Sequence, residues 1–496
     1  MPFARLPRLL DRLDPGRSQA RYAAMVAAAT VATYGILYLT ARLLDLPLSG
    51  AVLGATVAQY LGWFITAPTL RQVLRQSIAA TVVALPGLGL ALWLTGAIWP
   101  SLAVTTVLTA AAFVFRAWSA GMRTVALTAS YTFVFAVYLD ITAQDAVWSL
   151  AAVLVGGLVA TLVRFLLWRG PSPRRGDLVR AYLLNLSAFL RRAAKGAPEK
   201  AQRRLRARTT PTELRLTAAG GEDAKVAALL VRLRVHATDA ALCDDPGGAD
   251  LADALDGGGR AEGAAGAILH EIRALGYAED RVRVPPAPDD SPDPPFRVRL
   301  KQAAQRAVQV ALALAVALPL GYWIDADRWA WAYLAAMLVL YGTGTADDVL
   351  VKGWRRVRGT VIGGVGGLLI AGLLRGDIAV EVASIIILQF LAVYFQTFSY
   401  AWMMAASTAL LALFFGVSGN PVPSVMGLRL GETLAGALVG FVVSQAVFPS
   451  RARRRSRDAL DNLLTAIAAV LGRDGDGIAA DNRLAKALTA LQAASA

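Results

Sequence analysis

The chain has 496 residues, of which 56% are hydrophobic, a mean hydropathy of +0.50 and a formal net charge of +15. That balance excludes an ordinary soluble domain and a disordered chain, and the single cysteine, Cys243, excludes an intrachain disulfide. The apolar runs carry few charges and the positive residues gather at their ends, so membrane topology accounts for the basic excess better than nucleic-acid binding does.

Arg5, Arg8, Arg12, Arg17 and Arg21 precede the first apolar run. Tyr22–Leu44 is longer than the apolar core of a signal peptide and more spans follow, so it reads as a retained first span. A helix needs about 20 apolar residues to cross the hydrocarbon core. The first half offers six such segments, at 22–43, 47–68, 76–95, 97–115, 121–139 and 146–168. The third contains Pro86 and Gly87, which predicts a kink whose freed carbonyls neighbouring helices satisfy.

Residues 170–296 are charged and rich in Pro, Gly and Asp. Helices are expected there at Leu178–Arg192, where Leu183, Leu186 and Leu190 oppose Arg180, Arg191 and Arg192, and at Ala224–Leu242 and Ala261–Leu275. Asp244–Arg260 reads as a mobile loop, and Val284–Pro295, with six prolines, as a stiff linker. Six further spans follow at 300–322, 328–345, 357–374, 378–398, 401–416 and 428–448. After Ser450 the tail reads as one or two short helices, around Leu460–Ile467 and Leu484–Leu491.

Positive residues set the direction. The N-terminal arginines, Arg71 and Arg75, Arg116 and Arg123, Arg169 to Arg175, Arg297 to Lys301, Lys352 to Arg358 and Arg451 to Arg455 alternate with loops that are acidic, mixed or uncharged. Both ends and the insert therefore belong in the cytoplasm. The halves also repeat: an offset of 280 pairs Phe115 with Phe395, Ser119 with Ser399, Thr128 with Thr408, Ala129 with Ala409 and Phe135 with Phe415, and a nearby offset pairs Gly157 with Gly436. Six spans per half is an even number, so the halves run the same way and the repeat axis lies along the membrane normal. The expected fold is an all-α membrane protein of twelve transmembrane helices, in two parallel six-helix repeats with a cytosolic helical insert. Its divisions are 1–21, 22–169, 170–296, 297–449 and 450–496. Arginine greatly outnumbers lysine, which suggests a GC-rich bacterial genome and so places the expected spans in a bacterial plasma membrane.

Several chemistries are missing. No Gly-Lys-Ser/Thr occurs, so no P-loop ATPase is present. His270-Glu271 begins like a zinc-protease helix, but Ala274 stands where the second His belongs, and His236 is the only other histidine. No cofactor, metal site or enzymatic activity is expected. Glycines at four-residue spacing, namely Gly359, Gly363 and Gly367, Gly427 and Gly431, Gly436 and Gly440, and Gly50 and Gly54, put small residues on one helix face. Ordinary close packing is the favoured reading over a sliding pore seam.

Charges near spans are costly in hydrocarbon. Arg306 falls about two turns inside the seventh span, Arg164 near the end of the sixth, Arg116 and Arg123 beside the fourth-to-fifth turn, and Arg429 and Glu432 at the outer end of the last span. They allow an electropositive path for an organic anion, with Glu432 as a proton-responsive carboxylate, or else snorkelling rim arginines and an i,i+3 ion pair. Gln59, Tyr60, Gln309 and Gln389 lie mid-span and must face the bundle interior. Interhelical hydrogen bonding is the first expectation for each, substrate contact the second. The tryptophans Trp63, Trp93, Trp99, Trp148, Trp168, Trp323, Trp329 and Trp331 read as an interfacial belt.

The run from Trp354 through Arg358, Gly359, Thr360 and Gly363 to Gly367 resembles the arginine, Gly-Thr and spaced-glycine motif of the fusaric acid resistance superfamily. Arg429, Glu432, Thr433 and Gly436, in a run that ends at Phe448-Pro449, resemble that family's last span. The first half departs, with Ser77–Thr81 where Arg-Gly-Thr is expected. The resemblance implies a plasma-membrane exporter of small organic or aromatic acids, driven by the proton gradient. Passive anion channels of the malate type are a second implied activity. A third reading, a non-transporting scaffold whose insert binds a cytosolic partner, also stays open. The partners implied are the lipid bilayer and a small organic anion; a homo-oligomer stays open and a nucleic acid is not among them.

Overall fold

The computed structural model describes residues 12, 14–67, 69–167, 174–194, 221–242, 247–256, 262–276, 295–343, 346–374, 378–417 and 422–447, with eight positions between 201 and 216. Most of the proline-rich linker, the tail helices, Cys243 and Trp168 lie outside the described residues. The described residues fall into two compact units, one drawn from Met1–Ala20 and Pro171–Asp293, the other from Arg21–Gly170 and Pro294–Arg453.

The smaller unit holds α7 (Arg175–Ala193), α8 (Gly221–Leu242), α9 (Gly247–Leu255) and α10 (Gly263–Gly276). Helix α7 is its hub: Leu183, Leu186 and Leu190 are buried as their spacing predicts, against Val226, Leu230 and Ile272. Helix α9 corrects the expectation of a mobile loop over 244–260, because Leu251, Ala252 and Leu255 find an apolar face to bury. Arg175 joins Glu222 and Asp223, and Glu213 accepts hydrogen bonds from Tyr182 Oη and the Arg234 guanidinium. Burial, and then the Glu213 charge, push the Tyr182 phenol well above its ordinary range.

The larger unit contains α1 (Ser18–Leu43), α2 (Leu48–Phe64), α3 (Leu70–Trp93), α4 (Ile98–Val114), α5 (Ala120–Tyr138) and α6 (Ala146–Leu167). After the insert come α11 (Phe296–Ile324), α12 (Ala330–Leu340), α13 (Ala346–Leu373), α14 (Ile378–Phe395), α15 (Tyr400–Val417) and α16 (Val422–Ala446). Among the described residues, eight helices are long and apolar enough to cross a membrane: α1, α3, α4, α5, α6, α11, α13 and α16. Helices α12, α14 and α15 are shorter apolar helices. Helix α3 runs unbroken through Pro86, and α11 through Pro319.

The patterning inverts that of a soluble bundle. On α6, Leu154, Leu158, Leu162 and Phe165 face outward, while Ala152, Gly156, Gly157, Ala160 and Arg164 face inward. Large apolar side chains outside and small residues inside are what a hydrocarbon solvent selects, because burial between helices gains packing rather than dehydration. Polar groups therefore turn inward. Arg164, 2% exposed, donates to Ser77 Oγ and to the carbonyls of Leu61 and Gly62, tying down the end of α2. Thr109 Oγ1, Ser130 Oγ and Tyr333 Oη meet in a fully buried hydroxyl cluster drawn from α4, α5 and α12.

Each half packs its third helix along its fifth, α3 on α5 and α13 on α15, and its second along its sixth, α2 on α6 and α12 on α16. Glycines permit this approach: a Cβ at Gly87 would collide with the Ala129 carbonyl, and one at Gly363 with the Ala405 carbonyl. An offset of 276 residues takes the start of α3 to that of α13, Gly87 to Gly363 and Ala129 to Ala405, so the equivalent contacts here differ by four residues from the expected offset of 280, which paired Ala129 with Ala409. Gly359 and Gly367 lie on the same seam, and Gly436 meets the Ala332 carbonyl 2.6 Å from where its Cβ would stand. Gly427 and Gly431 depart from the close-packing expectation, since a Cβ on either would meet open space.

Two helix starts differ from expectation in a way that matters. Helix α13 begins at Ala346 rather than 357, with Asp347 and Asp348 in its first turn, where carboxylates favour the helix dipole. Helix α16 begins at Val422 rather than 428. Lys352, Arg356, Arg429 and Glu432 thereby move well inside helices.

Candidate functional site

Helix α13 carries Lys352, Arg356 and Thr360 at four-residue spacing, which stacks them on one face. Trp354, Arg355 and Arg358 point outward, whereas Arg356 and Thr360 are 2% and 3% exposed. Arg356 is the eleventh residue of α13, about 15 Å along its axis at 1.5 Å per residue. Its Nη1 lies 3.3 Å from Tyr400 Oη and 3.5 Å from Met404 Sδ, and its Nε has no hydrogen-bond partner among the described residues. Lys352 is half-buried. Its Nζ donates to the Tyr341 carbonyl at 2.5 Å and stands 5.1 Å from the Tyr400 ring centre.

The turn between α12 and α13 presents Tyr341. Gly342 takes φ +77°, the left-handed region that a side chain disfavours, and so reverses the chain directly after Tyr341. Arg123, from the first turn of α5, lays its guanidinium 4.2 Å from the Tyr341 ring centre and 5.7 Å from that of Phe113. It is 8% exposed and its Nε has no hydrogen-bond partner among the described residues. Lys352 lies within electrostatic range of Arg356, Arg306 and Arg123. Among the described residues no carboxylate pairs with Arg123, Lys352 or Arg356. Tyr60 Oη donates to the Thr124 carbonyl, and the Phe64 ring packs on both Tyr60 and Tyr341.

Arg306 approaches this cluster but has a second task. Its guanidinium donates to Gln309 Oε1, to the carbonyls of Leu340 and Thr343 and to Thr343 Oγ1, so it closes the C-terminal end of α12. A cation at a helix C-terminus is favourable there. Gln59 Nε2 donates to Gln389 Oε1 at 3.2 Å, an interhelical bond between the halves, while Gln389 Nε2 is buried without a partner among the described residues. Gln309 donates to the Val447 carbonyl. Arg116 and Arg358 are exposed and stand apart from the cluster. Trp331 and Trp329 are buried, which removes them from the expected interfacial belt, whereas Trp93 and Trp323 are exposed.

A second polar centre forms where α16 meets the turn before α12. Arg429 is 5% exposed, with its guanidinium 5.0 Å from the Trp331 ring centre. Glu432 is fully buried and neither carboxylate oxygen has a hydrogen-bond partner among the described residues. The i,i+3 ion pair expected between them is therefore not made. Thr433 is buried beside them.

A family described as fusaric acid resistance protein-like matches residues 312–443. The match supports the fusaric acid resistance superfamily. It runs from α11 into α16 and so takes in Tyr341, Lys352, Arg356, Arg429 and Glu432, but not Arg123. Together with the eight apolar helices it indicates a multi-pass membrane protein of transporter type. No curated protein and no solved structure matches this chain.

Lys352, Arg356 and Tyr341 escaped the sequence reading, which took the two cations as ordinary loop charges. The signal was their spacing: Lys352, Arg356 and Thr360 step by four, as an inward helix face does, while Arg355 and Arg358 fall off that step.

Proposed function

We propose that this chain is a plasma-membrane transporter that exports small organic anions, aromatic acids among them, with the carboxylate held by Arg123, Lys352 and Arg356. One observation carries the reading. Three cations converge, two of them almost wholly buried, with no carboxylate among the described residues to balance them and with the rings of Tyr341 and Tyr400 alongside. Uncompensated positive charge inside a membrane bundle is costly, and an anion that enters offsets that cost. Arginine keeps its charge at any relevant pH and offers a planar fork that fits a carboxylate. Gln59, Tyr60 and Gln389 border the same path in this reading, and Arg306 adds charge while holding its wall.

The decisive experiment is uptake of benzoate, 4-hydroxybenzoate, terephthalate and malate into energised inverted vesicles, with and without an uncoupler. Such vesicles expose the cytoplasmic face, so export appears as accumulation. Accumulation that collapses with the uncoupler supports an energised exporter. Flux that merely follows the anion gradient identifies a passive channel, and no flux of any of the four acids overturns the assignment.

The proposed topology is twelve spans, with both ends and the insert in the cytoplasm. Its support is the alternation of basic and non-basic loops and the matching helix contacts of the two halves. In a Cys243→Ser background, an impermeant thiol reagent added outside intact cells is expected to label Asp140→Cys and to miss Gly220→Cys. Labelling at position 220 would overturn the topology.

A further inference from the structure

We propose that Glu432 is a proton-binding site linked to anion occupancy, such that a proton on Glu432 and an organic anion beside Arg429 bind together. This rests on the transport reading above and adds a second station for the anion beside Arg429, which Arg356 of the first cluster faces within electrostatic range as a further positive charge. Glu432 is the eleventh residue of α16, about 15 Å along its axis and so well within a hydrocarbon core of about 30 Å. Its side chain is fully buried, and both carboxylate oxygens lack a partner among the described residues. Arg429, one turn before it, does not close on the carboxylate. Its guanidinium lies against the Trp331 ring and its Nε is also unpartnered. An unpaired acid and an unpaired base thus stand side by side in the interior, each with hydrogen-bonding capacity that the fold leaves unused.

The surrounding charges fix how the two can be filled. From the turn before α12, Asp325 and Arg328 face Glu432, and their own ion pair at 2.9 Å cancels both charges. From α5, Tyr138 faces the same group and contributes a neutral phenol. From α16 itself only Arg429 does so. With Glu432 ionised, Arg429 is balanced and a second anion would be repelled. With Glu432 protonated, Arg429 is left with unmatched charge in a buried site, and an incoming carboxylate restores neutrality. Proton and anion therefore favour each other at this centre, and by linkage each raises the affinity for the other equally. No covalent step is involved: the proton comes from water on entry and returns to water on exit.

The test is binding of benzoate and terephthalate to the purified full-length protein between about pH 6 and pH 8, where both stay ionised, read by Trp fluorescence and by calorimetry. Wild-type affinity is expected to rise as pH falls, by up to about tenfold per pH unit for one linked proton, with proton uptake from buffer on binding. Glu432→Gln, close in shape and permanently neutral, is expected to bind with the affinity wild type reaches at low pH, at every pH, and without proton uptake. Should Glu432→Gln fail to fold, Glu432→Asp is expected to retain the slope at a displaced midpoint. A wild-type slope that persists unchanged in Glu432→Gln, or a slope lost in Glu432→Asp, overturns the proposal while leaving the transport reading intact. Failure of wild type to bind either acid at any pH overturns both.

Discussion

Gly363→Leu is expected to leave little folded protein. A Cβ at this position would overlap the Ala405 carbonyl oxygen, so the obstacle is backbone, which cannot rotate aside as a flexible side chain could. Gly359 and Gly367, one turn away on either side, face Ala401, Met404 and Ala412 in the same seam, so α13 cannot tilt to relieve one contact without tightening another. Separating the helices loses close packing along their whole length, and packing is the main attraction between helices in lipid. The cost is about 3 kcal/mol, at the upper end for overpacking, against a total stability on the order of 10 kcal/mol. Yield of monodisperse protein after detergent extraction is the measurement. Gly366→Leu is the control, because a Cβ there meets open space and its surroundings tolerate bulk. Equal yields of the two variants would remove the seam argument.

The apolar segments were legible because hydrocarbon demands long runs, and the helix ends in the first half lie close to where hydropathy put them except at α3, which starts at Leu70 rather than 76. In the second half, the helix starts at Ala346 and Val422 moved for one reason. Hydropathy averages over all faces of a helix, so Lys352 and Arg356 fell outside the expected span at 357–374, and Arg429 and Glu432 stood at the rim of the one at 428–448. In the fold those charges occupy one inward face while Trp354, Leu434 and Leu438 keep the outer face apolar. Arg306 illustrates the opposite gap. Its depth in the span was readable from sequence, but its use was not, because the carbonyls of Leu340 and Thr343 come to it through the turn at Gly342, from a helix more than thirty residues later. The glycine seams were readable as spacing alone. Which of them packs, Gly359 to Gly367 rather than Gly427 and Gly431, depends on the partner helix.

Arg356→Gln is expected to abolish most anion transport while sparing the fold. The guanidinium contributes one 3.3 Å contact to Tyr400 Oη and one to Met404 Sδ, neither of which closes a helix end, so little of the scaffold depends on it. Its charge, by contrast, is the most deeply buried of the three in the cluster. Loss of one charge-assisted hydrogen bond of roughly 1.5–3 kcal/mol lowers anion affinity by about tenfold to a hundredfold. Arg356→Lys is expected to keep partial activity, since the charge remains and the planar fork is lost. Arg306→Gln is expected to differ in kind: its first effect is on thermal stability, because the carbonyls of Leu340 and Thr343 at the end of α12 lose the guanidinium, although Leu340 keeps a second donor, Thr343 Oγ1. Arg358→Gln, on the exposed face of the same helix, is expected to transport at the wild-type rate. Concentration dependence of acid uptake in inverted vesicles, with elution profiles of each variant, separates these outcomes. If Arg356→Gln and Arg358→Gln transport alike, the buried cluster is not the anion site, and the positive charge on α13 serves topology alone.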